Sequence, residues 1–328
     1  MVAVCTPPHS ALAFYGLNPA NDTIEKCYCT AIRWMTGRGL APTFMCTDLD
    51  KDKLISHSRS ETKLRKKGFT GTVRFDLVAA PAQSKGDLEA RSSEIYYSGE
   101  KDFTLLVISF ASRTVSLNSA DLLTIASEAC ALTRPSYGIA YERPLHRGPV
   151  HYAMCISRKR LEEFYRQTEA DREESMRISR WSQADEDKLY LRGSIRDVYP
   201  RSFLNPSHLN FPIENATFAE WVRRDPHNGT LSPFTEALTL WEVSDEEIPR
   251  LQHVLFDAGM VYDYERDTLS KLPPGPPMTP EEALQSTLEG FGMSAADVDV
   301  LKVEAPGKTR KLSDEEVKKI TGKKKPRK

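Results

Sequence analysis

"DFTLLVISF", residues 102–110, is the stretch on which the fold turns. Phe103, Leu105, Leu106, Val107, Ile108 and Phe110 put apolar side chains on both alternating faces, and a strand covered on both faces lies inside a sheet. Working outward, "TVRFDLV" (72–78) alternates Val73, Phe75 and Leu77 with Arg74 and Asp76, the period of a half-buried strand. Leu12–Gly16 and Thr43–Cys46 are shorter apolar runs and are also predicted as strands. Between them, Asp22 and Glu25 have the spacing of a capping box, followed by Ile24, Cys27, Tyr28, Ala31, Trp34 and Met35 at helical spacing up to Gly37 and Gly39. A second helix, capped by Asn118 or Ser119, buries Leu122, Ile125, Ala126 and Ala129 and stops before Pro135. "YGIAYER" (137–143) and "VHYAMCI" (150–156) read as strands joined by "PLHRGP", and the charged segment 48–68 reads as a surface excursion.

Helices segregated from runs of strands define an α+β fold: a mixed, mostly antiparallel sheet with helices layered on it, plus a Pro-linked helical C-terminal tail. The spacing divides the chain into 1–156, an α+β sheet domain; 157–270, a helical arm, an aromatic connector and a closing strand and helix on the same core; and 271–328, a Pro-rich linker and basic tail. The arm is the polar run 157–188. The closing elements are "TFAEWVRR" (217–224), a strand within "GTLSPFTEALTLWEV" (229–243) and a helix ending at Gly259.

Composition excludes several classes. Of 328 residues, 40% are hydrophobic and 28% charged, which suits a chain that buries a core. No apolar run is long enough for a membrane-spanning helix. The opening "MVAVCTPPHSALAFYG" has no basic region of the secretory kind, so the expected location is cytoplasmic and the six cysteines are expected to be thiols. Net charge is −1, but residues 307–328 carry ten Lys/Arg against three Asp/Glu, which leaves a body of net −8. Lys323, Lys324, Lys325, Arg327 and Lys328 are the candidate contacts to nucleic acid. Neither of the two common phosphate-loop patterns nor GxSxG occurs. Cys27 and Cys29 point about 200° apart on a helix, so with Cys46 and His57 they make no expected zinc site. No metal or cofactor is expected.

"GSIRDVYPRSFLNPSHLNF" (193–211) concentrates the candidate chemistry. If His146, Arg196, Asp197 and His208 converged, they could support hydrolysis or phosphoryl transfer, the aspartate orienting a histidine and the arginine holding an anion. The competing expectation is a connector pinned by Tyr199, Phe203, Leu204 and Phe211 and ordered by Asp197 and its prolines. Arg196, Arg201, His208 and Arg223 are then the partner-facing candidates.

The texture of "SYGIAYERPLHRGPVHYAM" (136–154), "GSIRDVYPRSFLNPSHL" (193–209), "TFAEWV" (217–222) and "GTLSPFTEALTLWEV" resembles bacterial α+β proteins of the immunity kind, paired with polymorphic or type VI secreted toxins. The resemblance spans residues 10–265 and implies a non-enzymatic protein that neutralises a cognate toxin by binding it. An acidic body suits that role, because toxin sites that act on nucleic acid are basic.

Overall fold

The computed structural model describes residues 7–18, 23–50, 53–69, 71–84, 90–100, 103–155, 181 and 188–262. Its strands are β1 (Pro8–Tyr15), β2 (Phe44–Thr47), β3 (Ile55–Ser56), β4 (Arg74–Ala79), β5 (Ser93–Glu100), β6 (Phe103–Ala111), β7 (Tyr137–Pro144), β8 (Arg201–Leu204), β9 (Pro212–Ile213), β10 (Ala216–Thr217), β11 (Thr230–Pro233) and β12 (Thr239–Glu242). Ten of them form one sheet in the order β11-β12-β8-β7-β1-β6-β5-β4-β2-β3, with every ladder antiparallel, while β9 and β10 pair separately. The fold is α+β, as the pattern predicts.

β6 lies between β1 and β5, and Leu105–Phe110 are all buried, as its apolar residues on both faces require. One face of the sheet sends Leu12, Phe14, Leu106, Ile108, Phe110 and Phe75 against helices α1 (Thr23–Thr36) and α3 (Ala120–Thr133). Ser119 caps α3 by accepting from the Leu122 N–H at 3.2 Å. The other face packs Ala13, Tyr15, Val107, Tyr137 and Ile139 under the connector and four helices. These are α4 (Pro149–Ala153), α5 (Pro206–Leu209), α6 (Phe218–Arg224) and α7 (Ile248–Ala258).

The structure corrects three expectations. Residues 150–156 are not a strand: Gly148 takes φ +59° and Pro149 opens α4, where its missing N–H removes no helical hydrogen bond. Residues 48–68 are more than an excursion, since they hold β3 and α2 (His57–Lys67). Asp50, with a fully buried side chain, anchors that helix. It accepts from Thr47 Oγ1 at 2.9 Å, from Lys63 Nζ at 2.6 Å and from Ser60 Oγ. β5 escapes the pattern because it is buried on both faces while Ser93, Glu94 and Ser98 interrupt its apolar run. The closing strand is a hairpin, β11 with β12. The expected arm, apart from Trp181 and Lys188, and the linker and tail lie outside the described residues.

Candidate functional site

The connector is a strut before it is anything else. Ile195 bridges to Val261, and the Arg196 N–H donates to Tyr137 Oη at 3.1 Å. Arg201–Leu204 then enter the sheet as β8. Tyr199, Phe203, Leu204 and Phe211 are all buried, Phe203 on the α1/α3 side and the others opposite. His208 is fully buried and stacks on Tyr137 with ring centroids 5.1 Å apart. Its Nδ1 accepts from the Asn205 N–H at 3.2 Å, so Nε2 carries the proton and donates to the Ser194 carbonyl at 3.1 Å. Burial pushes this ring's pKa down to about 4.

Arg196 is 5% exposed, and no carboxylate lies within ion-pair reach of it among the described residues. Its guanidinium donates to Tyr15 Oη at 2.7 Å and to the Tyr152 and Ala153 carbonyls at 2.7 and 3.3 Å. It also lies 4.1 Å from the Tyr152 ring centroid, where a desolvated cation is favoured by the π face. Asp197 accepts from the Val198 N–H at 2.8 Å and from Gln252 Nε2 at 2.9 Å. His146 belongs to the turn Leu145–Arg147 beyond the last residue of β7, whereas His208 stacks on its first residue. The strand between them spans about 23 Å. The structure therefore does not bring His146, Arg196, Asp197 and His208 into one place. Of the partner-facing candidates, Arg201 is buried, donating to Glu242 at 2.9 Å and to the Leu117 carbonyl at 2.6 Å, while Arg223 is exposed on α6.

What the fold does assemble is a groove of about 390 Å³ where β7 runs out past β8, lined by Tyr141, Tyr152, Tyr199, Glu142, Arg143 and Asp245 together with the turn before α3. The Tyr152 and Tyr199 hydroxyls are 2.7 Å apart. Tyr141 meets the Tyr152 ring edge-on at 5.1 Å and donates to the Pro149 carbonyl at 2.6 Å. Arg143 lies over Tyr152 at 4.4 Å. Burial drives the Tyr141 and Tyr199 phenols well above their ordinary pKa, so both act as neutral hydrogen-bonding groups. The groove offers π faces, hydroxyls and carboxylates, and no nucleophile oriented by a base lines it. Among the described residues no three His, Cys, Asp or Glu side chains group as metal ligands. Cys27 is buried with its thiol pushed up to about 12, and Cys29 faces solvent on the same helix.

Sequence reasoning reads Tyr199 as a packing residue and misses Tyr152, because a strand over 150–156 directs that ring elsewhere. The Gly148-Pro149 pair, a helix-opening signal, could have found it.

No protein-family model and no curated protein matches the chain. Among solved structures, the Pseudomonas aeruginosa T6SS protein PA0821 is similar at a TM-score of 0.45 and 12% identity, over 78% of this chain and 73% of that one. Among the described residues no helix is long and apolar enough to cross a membrane.

Proposed function

We propose that this chain is a non-enzymatic, cytoplasmic protein-binding protein of the immunity kind, which neutralises a cognate toxin by docking it on the tyrosine-lined groove. The observation that carries the reading is the groove itself: Tyr141, Tyr152 and Tyr199 converge there without a nucleophile and base. Tyr152, the half-buried ring of the three, offers contact surface to a partner, with the buried Tyr141 and Tyr199 holding it in place, and tyrosine concentrates binding energy at protein interfaces. The acidic body adds attraction to a basic partner. Arg223 is the exposed cation left to face that partner directly, while Arg196 acts by holding Tyr152 in place.

The reading predicts a toxin-type product encoded beside this chain, and the test is neutralisation of that product, read as survival on co-expression and as affinity by calorimetry. Tyr152→Ala and Tyr199→Ala are expected to weaken binding at least tenfold, and His146→Ala to leave it unchanged. Neutralisation that survives both tyrosine changes overturns the reading, as does a partner-independent turnover abolished by His146→Ala.

A further inference from the structure

We propose that the backbone of Glu142 is a docking point for an extended, basic segment of a partner protein, which adds to the free edge of β7 as a short extra strand. The inference rests on reading the chain as a partner-binding protein, and it names the mode of binding.

Hydrogen-bond polarity across the sheet locates the edge. Ser112 N–H donates to the Pro8 carbonyl at 2.9 Å, so even-numbered β1 residues turn their backbone groups toward β6. Leu145 N–H donates to the Pro7 carbonyl at 3.3 Å, continuing the register in which Pro8 faces Pro144. Odd-numbered residues of β7 therefore turn toward β1, and Gly138, Ala140, Glu142 and Pro144 turn toward β8, because donors and acceptors alternate sides along a strand. β8 pairs only with Gly138–Ala140, since it begins at Arg201. The N–H and C=O of Glu142 and the C=O of Pro144 thus face the groove with no strand opposite. An unpaired strand edge is a template for another chain.

Charge then selects the occupant. Glu142 and Asp245 both line the groove, both are exposed, and neither has a cation within ion-pair reach among the described residues; Glu142 accepts only from Ser112 Oγ, at 2.8 Å. Arg143 also lines it, but its guanidinium is engaged over Tyr152 and with the Arg147 carbonyl at 3.3 Å. A segment with lysine or arginine beside its edge-pairing residue meets two carboxylates that hold no cation among the described residues, and its apolar neighbour meets the tyrosine rings.

The test uses the full chain and three synthetic heptapeptides: threonine alternating with arginine, threonine alternating with glutamate, and the arginine peptide N-methylated at alternate amides. Amide NMR is expected to show a saturable shift at Glu142 with the arginine peptide and none with the glutamate peptide. N-methylation is expected to weaken binding at least tenfold. Pairing Glu142→Gln with Asp245→Asn, two exposed changes that leave the core intact, is expected to weaken it several-fold and flatten its salt dependence. Equal binding of the acidic peptide, indifference to N-methylation, or shifts confined to other elements would overturn the proposal. Normal peptide binding in a chain that neutralises no toxin overturns the immunity reading alone; neutralisation without any peptide binding overturns the strand-addition mode alone.

Discussion

A histidine with both ring nitrogens engaged and no solvent in reach serves as a strut, and His208 is one. His9 is the second buried ring. Its Nδ1 is 3.0 Å from Ser109 Oγ, and desolvation, only partly offset by Glu94, lowers its pKa to about 4. Both rings are neutral when folded and bind protons more readily when unfolded. Stability is therefore expected to be full above pH 6.5 and to fall as pH drops toward 4, by about 2 kcal/mol per ring at pH 5. Urea midpoints at pH 7.5, 6 and 5 measure this, and a flat profile to pH 5 would contradict it. Gly193 is the other residue on which the connector hinges. It takes φ +91°, and a Cβ there would stand 2.7 Å from the Ser207 carbonyl oxygen. Gly193→Ala is expected to cost about 2–3 kcal/mol, read from the shift in the unfolding midpoint.

At the scale of elements, α5 has four residues and owes its place to one cap. Asn205 accepts from the Ser207 N–H at 2.9 Å and the His208 N–H at 3.3 Å, while its Nδ2 donates to the Ser136 and Tyr190 carbonyls at 2.9 and 3.0 Å. Asn205→Ala loses the cap and strands one buried and one part-buried carbonyl, an expected loss of about 2–3 kcal/mol. Asn205→Asp keeps the cap acceptor but sets a carboxylate oxygen against the Ser136 and Tyr190 carbonyls in a buried site, so its loss at neutral pH is expected to exceed that of alanine in chemical denaturation. The elements that the pattern predicts correctly, α1, α3, α7 and β6, each bury an apolar stripe or face set by their own sequence. Those it misses are held by partners. β5 buries Glu94 against Arg91, and α2 hangs on Asp50, which lies outside the helix, so no helical periodicity records it.

Across the whole molecule, the candidate site is a consequence of where one strand stops. β7 runs four residues past its pairing with β8, and the space beyond is floored by tyrosines from β7, α4 and the connector. Glu142→Gln with Asp245→Asn is therefore expected to leave the unfolding free energy within about 0.5 kcal/mol of wild type, because exposed carboxylates without an ion-pair partner contribute little and glutamine still accepts from Ser112 Oγ, while partner affinity falls. Calorimetric binding beside urea unfolding separates the two effects. By itself the sequence determined the α+β class, the buried core of β6, the principal helices and the aromatic pinning of the connector, since these follow from local apolar spacing and from proline and glycine stereochemistry. Tertiary structure decided that His146 and His208 stand at opposite ends of β7, that Tyr152 turns from a helix to meet Tyr199, and that the Glu142 edge is left open. Those outcomes depend on sheet register and strand order, which arise from contacts between residues far apart in the chain and leave no periodic mark on it.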